Sequence, residues 1–292
     1  MSNRPIFRFA PSPNGYLHLG HAYSALINYN TARSMNGRFI LRIEDIDINR
    51  RREEYIQSMF DNLKWLGMTW ETEVRRQSEH FPEYRKSLDL LMKKGLLYKC
   101  FATRKEISEA IADKQSPVYP LDPDGTPLYP HLHKHLSKAE IDDRINNSEH
   151  FAYRIDMDAA LKYISGRKSS LTVKYMNADG EIFERTAEPQ LWGDTIIMRK
   201  DTPTSYHLSV VVDDAIQNIT HVVRGQDLEA ATDLHRLLQE LLGLPSPIYY
   251  HHRLLLDENG QKLSKSRGSK SLNDLRNEGV QPEQIHKLVS EE

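Results

Sequence analysis

With 292 residues, 39% hydrophobic and 27% charged, the chain has the length and apolar content to bury the core of one large α/β domain, which excludes disorder as its default state. A formal net charge of −2 sets it apart from domains that hold nucleic acid through a strongly basic surface. Arg50-Arg51-Arg52 and the 262–270 stretch are local candidates for gripping phosphates, although each alone reads as solvated charge. One cysteine, Cys100, rules out an intrachain disulfide. The opening Met1-Ser2-Asn3-Arg4-Pro5 lacks a signal peptide's apolar stretch, and no apolar run reaches bilayer length, so a cytoplasmic location is expected.

Ile6-Phe7-Arg8-Phe9-Ala10 reads as a short strand, broken by the loop Pro11-Ser12-Pro13-Asn14-Gly15. From His18 onward, Leu19, Ala22, Tyr23 and Leu26 recur at helical spacing, and Gly37 closes the helix. Alternating Phe39, Leu41 and Ile43 predict a second strand that ends at Glu44-Asp45. Strand, loop, helix and strand within about 40 residues form one βαβ unit and imply a parallel sheet. Helices are predicted through Tyr55, Ile56, Met59, Phe60, Leu63 and Leu66, and through Leu88, Leu91 and Met92 before Gly95.

Residues 113–135 carry Pro117, Pro120, Pro123, Pro127 and Pro130, too many for a regular element. A hairpin is expected from 171–175 and 182–185 around Asp179-Gly180. The near-continuous apolar runs 206–212 and 219–223 suit buried parallel strands. A helix through Leu234, Leu237, Leu238 and Leu241 ends at Gly243, 249–256 is strand-like, and the tail is polar and helical. The expected organisation is a doubly wound parallel sheet in two halves, 1–97 and 191–256, an inserted α+β subdomain at 98–190, and a loop with a helical tail at 257–292.

Two motifs carry the chemistry. His18-Leu19-Gly20-His21 begins the first helix, where two histidines three apart share a face, and where unpaired N–H groups and the helix dipole favour an anion such as a triphosphate. Gly20 would let an adenine ring approach the backbone. Lys262-Leu263-Ser264-Lys265-Ser266, followed by Arg267-Gly268, lies in a polar loop, where lysines can close over phosphates and offset charge on departing pyrophosphate. Taken alone, the first matches ordinary helix-start histidines and the second an exposed basic loop.

Together, in this order and at opposite ends of a doubly wound pattern, the two resemble the HIGH and KMSKS signatures of class I aminoacyl-tRNA synthetases. Further blocks are similar to the glutamyl branch of that family. They are Arg8-Phe9-Ala10-Pro11-Ser12-Pro13-Asn14-Gly15, Leu41-Arg42-Ile43-Glu44-Asp45, Tyr206-His207-Leu208-Ser209-Val210-Val211-Val212-Asp213-Asp214 and Ile219-Thr220-His221-Val222-Val223-Arg224-Gly225. The resemblance implies a Rossmann-like catalytic domain that joins L-glutamate to ATP as an aminoacyl-adenylate, with Mg²⁺ on the phosphates and no covalent enzyme nucleophile.

On that resemblance, His18, His21 and Lys265 are catalytic, and His18, Gly20, His21, Lys262 and Lys265 bind ATP. Arg8, Phe9, Ala10, Pro11, Ser12, Glu44, Tyr206 and Arg224 form the glutamate pocket, with Glu44 facing the ammonium. The residue types agree, since a side-chain carboxylate calls for a guanidinium that an amide cannot satisfy equally. Arg8 and Arg224 each close a strand, where open α/β sheets bind ligands. A plain Arg8–Glu44 pair across neighbouring strands is the alternative.

Full-length glutamyl enzymes continue into a helical domain that reads the anticodon, whereas this sequence stops about 25 residues past Ser266. A shortened branch of the family attaches glutamate to the queuosine base at the wobble position of tRNA(Asp). The resemblance extends to that branch and implies glutamate, ATP and queuosine-bearing tRNA(Asp) as partners of a monomer. The alternatives are a truncated enzyme charging an acceptor end, a small-molecule ligase or nucleotidyltransferase such as pantothenate synthetase, and a catalytically inactive binding protein. In that branch the insertion usually holds zinc through cysteines and a tyrosine. Here Cys100, Tyr129 and His133 give three ligands at best, with His131 and His135 nearby, so no zinc is expected.

Overall fold

The computed structural model describes residues 4–71, 73–114, 118–167, 170–256 and 270–290. The first βαβ unit runs through β1 (Ile6–Phe9), α1 (Leu19–Ser34) and β2 (Arg38–Ile43), with β1 and β2 parallel. Then come α2 (Glu53–Trp65), β3 (Arg75–Arg76), α3 (Phe81–Lys93), β4 (Leu97–Cys100), α4 (Arg104–Ala112), α5 (Lys138–Asn146), β5 (Ala152–Ile155) and α6 (Met157–Ser165). The remainder comprises β6 (Thr172–Met176), β7 (Ile182–Thr186), β8 (Ile196–Met198), α7 (Tyr206–Ile216), β9 (His221–Gly225), α8 (Ala231–Leu242), β10 (Ile248–His252), α9 (Leu272–Asn277) and α10 (Pro282–Ser290). No described helix is long and apolar enough to cross a membrane.

The main sheet has seven strands in the order β3-β2-β1-β9-β10-β6-β7, parallel except at the β6–β7 hairpin. Strand residues alternate between faces. Phe7, Phe9, Phe39, Leu41 and Ile43 therefore join one core under α1 and α2, while Ile6, Ile40 and Val222 join the other under α3, α7 and α8. The same period of two sends Arg8, Arg42 and Arg224 to the α7–α8 face. Burial of Leu234, Leu237, Leu238 and Leu241 at 0% exposure fastens α8, and truncating any one to alanine is expected to cost about 2–5 kcal/mol.

The apolar run 206–212 is a helix, not the expected strand. Ser205 caps α7 by accepting from the Leu208 N–H, and every residue from Leu208 to Asp214 is buried. A helix enclosed on all sides loses the one-faced periodicity that separates it from a buried strand; the serine cap was the remaining signal. The expected hairpin is present, with Gly180 at φ +82° in its turn, but it extends the main sheet through β6 beside β10. Its two strands therefore lie in the main sheet. The small separate sheet is β4-β5-β8, so Ile196–Met198 belongs to it as well. The tail returns to the core beneath α1 and α2: the Leu272 N–H donates to the Leu17 carbonyl at 2.7 Å, and Leu272 and Ile285 are buried with those helices.

β1 and β9 pair only at Phe7 and His221 before they part. Asn28 on α1, 1% exposed, spans the gap, its Nδ2 donating to the Arg8 carbonyl at 2.7 Å and the Val223 carbonyl at 3.0 Å. Asn28→Ala leaves two buried carbonyls without a donor and is expected to lower unfolding free energy by about 2 kcal/mol in urea titrations. Unchanged stability would show that the two carbonyls find other partners.

Candidate functional site

The chain winds one way from β1 to β2 and the other way through β9 and β10, so the gap between β1 and β9 is a topological switch point, where open α/β sheets bind ligands. A cavity of about 600 Å³ opens there. Arg8, Phe9, Ala10, Pro11 and Ser12 line it from the end of β1, Glu44 from the end of β2, Val223, Arg224 and Gly225 from β9, and Tyr206 from the start of α7. His18, Gly20 and His21 line the same cavity. The structure thus gathers every expected site residue it describes; Lys262 and Lys265 lie outside the described residues. Ser271, the N-cap of α9, bridges to His18 through the backbone.

At the head of α1, the Gly20 N–H donates to His18 Nδ1 at 3.1 Å and the His18 N–H donates to His21 Nδ1 at 3.2 Å. With both Nδ1 atoms accepting, each neutral ring carries its proton on Nε2. The ring centroids lie 3.9 Å apart with the planes tilted by 44°. A Cβ on Gly20 would sit 3.1 Å from the His18 ring, so the glycine makes room for that histidine as well as for a ligand.

Arg8 and Glu44 do not pair with each other. Arg8 donates to Asp214 from Nε at 3.1 Å and from Nη2 at 3.5 Å, while Glu44 accepts from Arg42 at 3.0 Å. Arg42, fully buried, also reaches Asp214 at 2.7 Å and Gln217 at 3.0 Å. Burial alone would raise the Asp214 carboxyl, but Arg8 and Arg42 outweigh it and hold it below the usual range. For Glu44 burial wins over Arg42 and Arg8, and its carboxyl is pushed up. Asp213, next along α7, accepts from Tyr84, Gln77 and Arg75.

Arg224 is held differently. Its Nε donates to His251 at 3.3 Å, Nη1 to Tyr206 at 3.3 Å and His235 at 3.2 Å, and Nη2 to Thr232 at 2.8 Å. His207 meets His235 at 3.1 Å. Burial first, and then the charge of Arg224, pushes His207 down to about 4 and His251 down to about 2, and holds His235 well below its ordinary value. Arg42, Asp214 and the histidine group escaped sequence reasoning as site residues. Arg42 and Asp214 sit inside the quoted blocks, while Thr232, His235 and His251 have no local signature.

Cys100, Tyr129 and His133 come together away from this cavity. Cys100 donates to the Tyr129 hydroxyl at 3.3 Å, which also receives the His133 N–H at 3.0 Å, and His133 Nδ1 accepts the Phe101 N–H at 3.1 Å. His131 turns to Asp194 at 3.3 Å. The donors are engaged with one another and with backbone, a poor fit to a closed four-ligand zinc centre.

A family model described as "tRNA synthetases class I (E and Q), catalytic domain" matches residues 6–290. The chain is similar, at 40% identity over 284 residues, to a glutamyl-Q tRNA(Asp) synthetase of Rhodobacter capsulatus, covering 97% of this chain and 99% of that one. It is 37% identical to a glutamate–tRNA ligase of Aquifex aeolicus over 95% of its own length and 55% of the ligase. Among solved structures, a glutamate-tRNA synthetase from Elizabethkingia anophelis superimposes with a TM-score of 0.76 at 25% identity, covering 98% of this chain and 61% of that one. The chain thus spans little more than half of the glutamate–tRNA ligases it matches.

The neutral histidines give a pH signature. Their folded values lie below the unfolded value of about 6.5, so as pH falls the unfolded chain takes up protons that the folded chain refuses, and stability declines. Each group adds a slope approaching about 1.4 kcal/mol per pH unit below 6.5. Between pH 6.5 and 5 this precedes most carboxylate titration. Urea midpoints are expected to drop steadily over that window; a flat profile would mean these rings carry protons when folded.

Proposed function

We propose, for a chain that belongs to the class I tRNA synthetases of the glutamate and glutamine branch, that it adenylates L-glutamate without tRNA and then passes the glutamyl group to the queuosine base of tRNA(Asp). The observation that carries the first step is the meeting of Arg8, Glu44 and Arg224 with the His18–His21 helix start in one cavity at the switch point. Glutamate brings two carboxylates and an ammonium. Arg224 suits the side-chain carboxylate, Tyr206 adds a hydroxyl beside it, and Glu44 suits the ammonium.

In the reaction, one α-carboxylate oxygen attacks the α-phosphorus of ATP and the bond to pyrophosphate breaks, leaving a mixed anhydride. The His18 and His21 Nε2–H groups and the N-terminus of α1 stabilise charge gathering on the phosphate oxygens. Magnesium, when bound with the nucleotide, would supply further positive charge against the phosphate oxygens. Lys265 would add a further positive charge against departing pyrophosphate. In the second step a hydroxyl of the queuosine cyclopentene diol attacks the anhydride carbonyl and AMP leaves. That diol resembles the terminal ribose diol, which lets one adenylate site serve a different acceptor. The R. capsulatus relative, matched over nearly its whole length and named for this acceptor, supports the reading. The A. aeolicus ligase supports charging of an acceptor end as the second reading.

Glutamate-dependent exchange of pyrophosphate into ATP is expected with no tRNA present; exchange with glutamine instead would overturn the substrate. Arg224→Ala is expected to raise the KM for glutamate about a hundredfold and that for ATP only a few-fold. Labelled glutamate should be transferred to tRNA(Asp) bearing queuosine and not to the unmodified tRNA. Transfer to glutamate tRNA instead would establish the second reading.

A further inference from the structure

We infer that His235, His251 and Thr232 are positioning residues that keep the Arg224 guanidinium hydrogen-bonded but without a counter-ion, so that the side-chain carboxylate of the bound amino acid is its charge partner. The inference rests on the glutamate reading above and specifies which of the two cavity arginines supplies the net charge.

Arg224 is 5% exposed, and among the described residues it forms no ion pair. A buried guanidinium without a carboxylate is costly unless its N–H groups are satisfied. Four neutral acceptors do this: His251, Tyr206, His235 and Thr232. With five N–H groups on the side chain, at least one donor remains for a ligand, along with the whole positive charge. The Tyr249 ring lies beneath, with its centroid 5.4 Å from the guanidinium carbon.

The tautomers follow from Arg224. An imidazole accepts only through an unprotonated nitrogen, so His251 carries its proton on Nδ1 and His235 on Nε2. The His235 Nε2–H then donates to His207 Nδ1. Burial and the guanidinium itself keep all three rings uncharged.

Elsewhere in the cavity the charges cancel. Arg8 and Arg42 are linked to Asp214 and Glu44 at 2.7–3.5 Å, two charges of each sign, and Arg253 and Asp227, which also line the cavity, bring one more of each. What remains is the single charge of Arg224. Glutamate as a zwitterion with an ionised side chain carries one net negative charge, whereas glutamine carries none. The pocket therefore matches the dicarboxylic amino acid by charge count, and Arg8, already neutralised, contributes geometry.

The test places a carboxylate where each histidine nitrogen now accepts. Asparagine and aspartate put Oδ1 near the position of His235 Nδ1; glutamine and glutamate reach the position of His251 Nε2. In pyrophosphate exchange, His235→Asp is expected to raise the KM for glutamate at least about tenfold and to cut the preference for glutamate over glutamine similarly. The KM for ATP should move less than about twofold, and His235→Asn should stay within about threefold of the unaltered protein. His251→Glu against His251→Gln repeats the comparison from β10. Acidic and amide variants that behave alike, or acidic variants that raise both KM values equally, would overturn the inference. So would failure of both acidic variants to fold while the amides fold, because a counter-ion beside a buried guanidinium should stabilise. If the unaltered protein exchanges pyrophosphate without glutamate dependence, the functional reading falls and this inference with it; otherwise a negative result removes the inference alone.

Discussion

The strands β1 and β9 run side by side for a single residue pair and then separate, and the cavity opens in the wedge between them. Separation exposes backbone carbonyls that a continuous sheet would have paired. Asn28 answers two of them from α1, which fixes that helix against both strands and thereby fixes where its N-terminus points. The His18–His21 turn is therefore located by the same side chain that stabilises the wedge. On the opposite face, the period of two along β1, β2 and β9 brings three arginines to α7 and α8. A single topological fact thus places the start of α1 and a guanidinium group on the same opening.

The three arginines share a face but not an electrostatic state. Arg8 and Arg42 end on Asp214 and Glu44, in an ionic lattice that continues through Asp213 to Arg75. Such a lattice fixes geometry, since every member has a partner whose loss would leave a buried charge. Arg224 ends on histidine, tyrosine and threonine and retains its charge. On the proposed reading, the division separates two tasks that one arginine cannot perform together: holding the pocket's shape and attracting a carboxylate into it.

Much of this was legible in the sequence because strands and helix starts are short-range features. Ile6 to Phe9, the His18–His21 turn and the strand ending at Arg224 each announce themselves within ten residues. The α7 helix was not legible, because Leu208 to Asp214 is buried on every side and the apolar run carries no period. The placement of the 172–186 hairpin was not legible either, since its join to β10 is made across more than 60 residues of chain. Motif resemblance named Arg8, Glu44, Tyr206 and Arg224, but nothing local distinguishes an arginine held by aspartate from one held by histidines. That difference arises when α7 and α8 pack on the sheet, bringing Asp214 to Arg8, and His235 and Thr232 to Arg224.

The most direct measurement is a crystal structure with a non-hydrolysable glutamyl-adenylate analogue bound. The account predicts the analogue's side-chain carboxylate against Arg224, its ammonium beside Glu44 and its phosphate at the head of α1, with Arg8 still tied to Asp214. A side-chain carboxylate bound elsewhere, with Arg224 facing only protein, would contradict it.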